Sequence, residues 1–304
     1  MSSHLKRLLI AVDSSEHAFN TVRYVADLFP PEHMEVVLFS VKPNPPMLGV
    51  EAWDGAAAWA EQQENVINDF MVKARKLLLE RRFSESAVTI TVKEVNKGVA
   101  RDILTESAQG YDAVLMGRRG LNPVSELVLG SISHKLLHKM THVPICVVGG
   151  VPRINNFIMG IDSSVGAMRA VDHVGRMFSG IDATVTLLHV IPTFDYLTSE
   201  FEATQITSVQ AEMEEDQKRA MEQTFEKATA ALERSGIARD RIKTEIVTGT
   251  HSRAGAIVDK AEEYGIGTIV LGRRGLSNVE EFLLGRVSNK VIHLAKNEAV
   301  WVVN

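Results

Sequence analysis

Three glycines at fixed spacing, followed by serines, form the part of this sequence best suited to hold an anion. Gly117, Gly120 and Gly130 have the spacing Gly-x2-Gly-x9-Gly, and Ser131 and Ser133 follow the third glycine. Glycine lets the backbone approach a ligand closely, and N–H groups at a helix start bind anionic oxygens with the help of the helix dipole. The serine hydroxyls would add donors. The pattern predicts a phosphate-binding loop; the open alternative is that the glycines only form turns or close packing.

Two aspartates follow apolar runs and are the second candidate group. Asp13 opens an Asp-Ser-Ser stretch after the run 8–12, and Asp162 opens the same stretch after 157–161. Ligands of open parallel sheets bind beyond the carboxyl ends of the strands. Each aspartate and its glycine loop would therefore face one crevice if their strands are neighbours. The alternative is that each aspartate is only the N-cap of the following helix.

Both signatures occur twice, about 150 residues apart, which is the usual length of one domain. Solenoid repeats are about 20–50 residues long, so this period indicates duplication of a whole domain. We predict domains 1–150 and 151–304, joined at the short turn 149–152. The second glycine pattern keeps the spacing of the first and consists of Gly272, Gly275 and Gly285, followed by Ser288.

Apolar runs alternate with helix-period stretches in both copies. Short strands alternating with helices indicate crossover units and a parallel sheet, so the predicted fold class is α/β. The first copy has predicted strands 8–12, 36–41, 88–95, 113–116 and 145–148, and predicted helices 16–28, 57–82, 99–107 and 124–139. The second copy has predicted strands 156–161, 184–191, 243–247, 268–271 and 300–303, with a long helix at 208–235.

The composition is that of a soluble globular protein and argues against several partners. Of 304 residues, 45% are hydrophobic and 23% are charged, and the net charge is −5. Proteins that bind nucleic acid usually carry a basic excess, so we expect no nucleic acid partner. No apolar stretch approaches the roughly 18 residues of a membrane span. The single cysteine, Cys146, suits a reducing cytosol and a buried position, and we expect a cytoplasmic protein.

At these motifs the chain resembles the universal stress protein family, whose ATP-binding members carry Gly-x2-Gly-x9-Gly-Ser/Thr and an aspartate after the first strand. The resemblance covers nearly the whole chain. It implies two tandem Rossmann-like domains, each a five-stranded parallel sheet of order 3-2-1-4-5 flanked by helices. It also implies a nucleotide site in each copy, with ATP, alone or with Mg²⁺, as the cofactor.

The resemblance also implies a place for each site residue. Asp13 would contact the ribose and phosphate region, and Val41 would lie beside adenine through its backbone. Arg286 departs from the pattern because the family keeps serine or threonine there; it could bind phosphate, fill the cradle or pair with Glu280 or Glu281. We therefore expect the first copy to be the stronger site. The implied residues are Asp13, Val41, Gly117, Gly120, Gly130, Ser131 and Ser133 in the first copy, and Asp162, Val190, Gly272, Gly275, Gly285 and Ser288 in the second.

Other residues of chemical interest have simpler interpretations. His134, His138 and His142 are spaced four apart, but no carboxylate or cysteine joins them, so we expect a solvated helix face and no metal site. Arg-Arg pairs at 118–119 and 273–274 lie inside the glycine loops, where they could screen phosphate, pair with acids or be solvated.

Three more side chains are expected to be structural. His189 falls inside a predicted strand, where we expect a satisfied hydrogen bond. Trp53 and Trp59 lie in the connection after the second strand, where we expect packing and not stacking on a ligand.

No catalytic set of Ser-His-Asp, Cys-His or P-loop type is evident, so we predict a binding protein and not an enzyme. The leading interpretation is a nucleotide-binding stress or signalling protein, in which ATP changes shape or association. One alternative is a protein-interaction module of the same fold that binds no nucleotide. The other is an enzyme of slow ATP hydrolysis or of nucleotidyl or phosphoryl transfer.

The fifth strand of each copy, at 145–148 and 300–303, would lie at a sheet edge, and exposed edges invite pairing. The resembled family dimerises through this strand. We expect the two copies to pair through it as a pseudo-two-fold unit, with a further homodimer left open.

Overall fold

The computed structural model describes residues 5–42, 55–120, 129–153, 156–193, 200–276 and 284–304. The chain forms two compact units, and each consists of two stretches of sequence. The first unit contains Met1–Ile154 with Lys296–Trp301, and the second contains Asn155–Ala295 with Val302–Asn304.

The first unit is built on a parallel sheet with the strand order β3-β2-β1-β4-β5. Ile10 of the central strand pairs with Leu38 on one side and Leu115 on the other. The predicted α/β fold, with its order 3-2-1-4-5, is confirmed here. The elements are β1 (Lys6–Ala11), α1 (Glu16–Leu28), β2 (Met34–Lys42), α2 (Ala56–Glu80), β3 (Val88–Glu94), α3 (Val99–Ser107), β4 (Ala113–Gly117), α4 (Ser131–Lys139) and β5 (Ile145–Val148).

The second unit repeats the order in the strands β8-β7-β6-β9, which are also parallel. The last strand, β10, ends in this unit, where the Arg273 N–H donates to the Val303 carbonyl at 2.6 Å. The elements are β6 (Asn156–Gly160), α5 (Val165–Met177), β7 (Thr184–Pro192), α6 (Glu200–Arg234), β8 (Ile242–Thr250), α7 (Arg253–Glu263), β9 (Thr268–Gly272), α8 (Arg286–Leu294) and β10 (Ala299–Val303).

The central strands read as unbroken apolar runs because both faces of a parallel sheet are covered. Leu8, Leu9 and Ile10 are each 0% exposed, and every residue of β4 and β5 is buried. Cys146 lies within β5, and burial raises the pKa of its thiol well above the ordinary value. The expected buried position of this cysteine is confirmed.

Residues 296–301 complete the core of the first unit. Trp301 is fully buried, and its Nε1–H donates to the Tyr24 hydroxyl at 3.0 Å. Its ring also meets the edge of Phe29, with a centroid separation of 6.3 Å. The N–H of Gly149 donates to the Glu298 carbonyl at 3.0 Å, which ties the end of the first stretch to this segment.

Two predicted helix starts are wrong. Helix α4 begins at Ser131 and not at 124, because Gly130 is extended (φ −58°, ψ 144°) and its N–H bonds to the Arg118 carbonyl; residues 121–128 lie outside the described residues. Helix α6 begins at Glu200 and not at Ser208, since the Glu, Ala and Gln residues before Ser208 favour continued helix. None of the described helices is long and apolar enough to cross a membrane.

Candidate functional site

A cavity of about 310 Å³ opens at the carboxyl ends of β1, β2 and β4 in the first unit; we call it the first cavity. Both signatures of the first copy reach it, as expected for ligand sites of parallel sheets. All seven residues named for this copy line it, namely Asp13, Val41, Gly117, Gly120, Gly130, Ser131 and Ser133.

The N-terminus of α4 forms one wall of this cavity. Its N-cap, Gly130, has no side chain, so the N-cap residue makes no side-chain hydrogen bond to the first helical N–H groups. Ser131, Ile132 and Ser133 all line the cavity. Unpaired N–H groups at a helix start carry partial positive charge, so this wall is suited to an anion.

The hydroxyl of Ser133 has a different role from the one expected. It is buried and donates to the Gly117 carbonyl at 2.9 Å, which holds the glycine loop against α4. A hydroxyl has one proton to donate, so this one is already committed. The expected hydroxyl donation from Ser133 to phosphate is therefore replaced by a loop-holding bond, and Ser131 keeps the exposed hydroxyl.

The glycines of the loop serve two separate purposes. A Cβ built at Gly117 would lie 2.9 Å from both the Cβ and the backbone carbonyl carbon of His17, so this glycine permits close packing of β4 on α1. A Cβ at Gly120 would instead overlap only the carboxylate of Asp13. Gly120 therefore keeps the space in front of Asp13 open, whereas a side chain at Gly117 would disturb the fold.

Asp13 is not the N-cap of α1. Ser15 is, with its Oγ accepting from the Ala18 N–H at 3.1 Å. Asp13 Oδ1 accepts from the Ser15 N–H at 3.2 Å and from its hydroxyl at 2.6 Å, and Ser14 between them has φ 66°. Ser164 caps α5 in the same way, so the N-cap alternative is wrong for Asp13 and for Asp162.

The opposite end of the first cavity is mainly apolar, with Gln63 of α2 as a polar member of the lining. Val41 at the end of β2 lies there, with Ile67 of α2 and Ile103 of α3, and no lining side chain at this end is charged among the described residues. The cavity therefore joins a polar, anion-binding end to an apolar pocket. This combination suits a ligand with a phosphate tail and a flat apolar base.

A second cavity of about 510 Å³ occupies the same place in the second unit. Gly285 again starts a helix that has no side-chain cap, and Ser288 Oγ donates to the Gly272 carbonyl at 2.8 Å. The Leu276 N–H donates to Asp162 Oδ2 at 3.3 Å. All six residues named for this copy line the cavity, namely Asp162, Val190, Gly272, Gly275, Gly285 and Ser288.

The second cavity carries more positive charge than the first. Arg253, Arg274 and Arg286 line it, whereas Arg119 is the one arginine among the described residues that line the first. Each described lining includes one aspartate, so among the described residues the second cavity has two more positive charges. Arg286 is exposed and reaches the cavity; Glu280 and Glu281, its expected alternative partners, lie outside the described residues.

The two members of each Arg-Arg pair have different surroundings. Arg118 is 1% exposed, and burial lowers the pKa of its guanidinium, with the charge of Arg119 adding to this and that of Glu298 opposing it. Burial likewise lowers the pKa of Arg273 to about 10, and its Nε–H donates to the Asn304 side chain. The second member of each pair lines a cavity, a split that the sequence interpretation did not contain.

The three histidines that are spaced four apart do not come together in the structure. The rings of His134 and His138 are 4.5 Å apart, but His142 lies at Ser107, with Nε2 3.0 Å from its hydroxyl. Within the described residues, no group of three or more His, Cys, Asp or Glu side chains could hold a metal ion.

His189 has the satisfied hydrogen bond that was expected of it. Its Nδ1–H donates to the Ile161 carbonyl at 2.7 Å, and the ring also lines the second cavity. Burial lowers the pKa of this imidazole; Ile161 and Asp162 oppose the shift and Arg253 adds to it. Trp59 is half-buried on α2, whereas Trp53 lies outside the described residues.

Comparison with known proteins agrees with this architecture. A universal stress protein YxiE from Bacillus subtilis (strain 168) is 27% identical over 147 residues, which cover 46% of this chain and 93% of that protein. A universal stress protein from Mycolicibacterium smegmatis is 25% identical over 188 residues, covering 60% of this chain and 63% of that one. The crystal structure of a universal stress protein from Archaeoglobus fulgidus shares the fold, with a TM-score of 0.63 at 19% identity over 100% of this chain and 99% of that one. The sequence model of the universal stress protein family matches residues 4–149 and again 154–304, so the chain belongs to this family and carries its domain twice.

Proposed function

We propose that this protein binds nucleotide in its cavities, with ATP in the first, and acts in stress response or signalling through nucleotide-dependent association. The observation that carries the proposal is that the N-terminus of α4, with glycine as its N-cap, lines the same cavity as Asp13. Phosphate oxygens would accept from the N–H groups of Ser131, Ile132 and Ser133. The Asp13 carboxylate is an acceptor and is suited to the ribose hydroxyls.

The magnitudes support a preference for nucleotides with several phosphates. A hydrogen bond to a charged group contributes about 1.5–3 kcal/mol, and an anion at a helix N-terminus gains up to about 2 kcal/mol more in a partly buried position. Adenosine would lose both contributions. Asp13 is the one acid among the described lining residues, so Mg²⁺ would enter with the phosphates and not through a protein cage.

We expect no fast hydrolysis of bound ATP. Asp13 Oδ1 is already engaged by Ser15, and its carboxylate lies against the glycine loop. A general base must reach an attacking water, and no other titratable acid or imidazole is among the described residues that line the first cavity. Slow hydrolysis of ATP is the remaining alternative, and steady-state phosphate release measures it.

Calorimetry with ATP and with adenosine tests the proposal. ATP should bind at least about 10-fold more tightly, which corresponds to the loss of one charged hydrogen bond. Equal affinities would contradict a phosphate site, and no heat with either ligand would favour the protein-interaction alternative.

The proposed output is a change in association. We propose that the tandem copies, 1–150 and 151–304, pair through their fifth strands and that the protein acts in the cytoplasm. Sedimentation velocity with and without ATP would measure the change in assembly, and an unchanged profile would contradict nucleotide-dependent association.

A further inference from the structure

The two cavities differ at the end remote from the glycine loop. Val99 is the first residue of α3 and lines the first cavity, together with Ile103 four residues later. Arg253 holds the same place at the start of α7, and Ile257 follows four residues later in the lining of the second cavity. An apolar side chain in one copy is thus replaced by a guanidinium in the other.

The remote end of the second cavity is where a nucleotide base would lie. The phosphates must face the glycine loop, because the helix N-terminus of α8 and its N–H donors are there. The base would then lie between Met221, Ile257 and the end of β7 at Val190, all of which line the cavity. These side chains form the apolar walls that a purine ring needs.

Arg253 reaches the end of β7 at this position. Its Nε–H donates to the Val190 carbonyl at 3.3 Å, and the exposed side chain lines the cavity. Guanidinium carries five N–H donors and no acceptor, so four remain beside the base position. In the first cavity Val99 offers no donor at the matching place.

We propose that the second cavity selects guanine nucleotides over adenine nucleotides, an inference that rests on the proposed nucleotide binding. Guanine presents two acceptors, O6 and N7, on the edge that pairs bidentately with a guanidinium. Adenine presents an amino group there, whose N–H would face the N–H donors of Arg253. The Val190 carbonyl, the acceptor at this place, is shared with Arg253, so an adenine amino group bonded to it would lie against the guanidinium.

The other two arginines of the second cavity belong to its phosphate end, since Arg274 lies in the glycine loop after β9 and Arg286 begins α8. Arg286 stands at the N-terminus of α8, at the phosphate end, where the first copy has Ser131. Its charge strengthens binding of any nucleotide with the same phosphates. Arg286→Ser is therefore the matched control: it should weaken GTP and ATP alike and leave their ratio unchanged.

The test is calorimetric titration of the full chain with GTP, ATP and UTP, in a Gly120→Val background that closes the first cavity. GTP should bind on the order of 10- to 100-fold more tightly than ATP, as expected for one bidentate base contact. Arg253→Val should abolish this preference, and Arg253→Lys, which keeps the charge without the planar fork, should reduce it. The reciprocal variant, Val99→Arg in a Gly275→Val background, should shift the first cavity towards GTP.

Several outcomes overturn the inference. One is that ATP or UTP binds the second cavity with the same affinity as GTP. Another is that Arg253→Val, with thermal unfolding like the wild type, keeps the preference for GTP. Absence of all binding in the Gly120→Val background, with ATP still bound in the Gly275→Val background, also overturns it and leaves the first cavity intact. If neither background binds any nucleotide, the proposed function itself fails.

Discussion

Replacing Gly120 and Gly117 by valine, one at a time, separates a glycine that faces the ligand from one that permits packing. At Gly120 the new Cβ meets only the end of the Asp13 side chain and no backbone atom. The valine then occupies the space in front of the phosphate-binding wall. Loss of one or two charged hydrogen bonds of about 1.5–3 kcal/mol each should weaken ATP binding by at least about 10-fold in a Gly275→Val background.

At Gly117 the obstacle is the backbone of α1. The new Cβ would lie 2.9 Å from the backbone carbonyl carbon of His17, and a helix backbone moves only with its whole packing. Such overpacking typically costs about 1–3 kcal/mol, which lowers the melting temperature by about 2–4 °C per kcal/mol in a chain of this size class. The main effect of Gly117→Val should therefore be a loss of stability, and any loss of ATP binding should follow from it.

Thermal unfolding and ATP calorimetry on both variants check this pair of expectations. Wild-type melting with lost binding is expected for Gly120→Val, and a lowered melting temperature for Gly117→Val. The reasoning is refuted if Gly117→Val melts like the wild type, or if Gly120→Val binds ATP unchanged.

Three further substitutions test individual contacts. Trp301→Phe should destabilise the protein by about 1–3 kcal/mol, because the buried Tyr24 hydroxyl loses its donor. Denaturant unfolding of Trp301→Phe, of Tyr24→Phe and of the double variant measures this, and unfolding free energies that change additively would contradict a hydrogen bond between the two side chains. Ser133→Ala should destabilise by about 1 kcal/mol through loss of the bond to Gly117, and an unchanged unfolding midpoint would argue against the loop-holding role. The pKa of His189 is lowered in the folded protein, so protonation of this imidazole favours unfolding, and the wild type should lose stability as the pH falls below about 6.5. His189→Ser should not show this loss, and identical plots of stability against pH for the two proteins would contradict the expectation.

The position of the glycines and of the two aspartates at the cavities could be predicted from the sequence, because strand ends and glycine loops are local patterns. The same spacing predicts that they share a crevice once the strand order is 3-2-1-4-5. The roles of Ser133 and Gly117 could not be predicted in this way. Each depends on a contact with a residue far along the chain, namely the Gly117 carbonyl and His17.

Arg253 was missed because the two repeats differ by one residue between this position and the glycine loop. Aligned on their glycine patterns without a gap, the repeats place Ala254 opposite Val99, and the match of Arg253 to Val99 follows only from the starts of α3 and α7. The burial of Arg118 and Arg273 could not be predicted either. Their exposure depends on which way an irregular loop turns after the strand, and neighbouring arginines look alike in sequence.

The most direct test of nucleotide binding is to saturate the protein with ATP, remove unbound ligand by rapid gel filtration, denature the protein and identify what is released. We predict release of ATP from the wild type and from Gly275→Val, and its loss from Gly120→Val/Gly275→Val. A wild-type protein that releases no nucleotide, or a double variant that releases as much as the wild type, would contradict binding at the glycine loops.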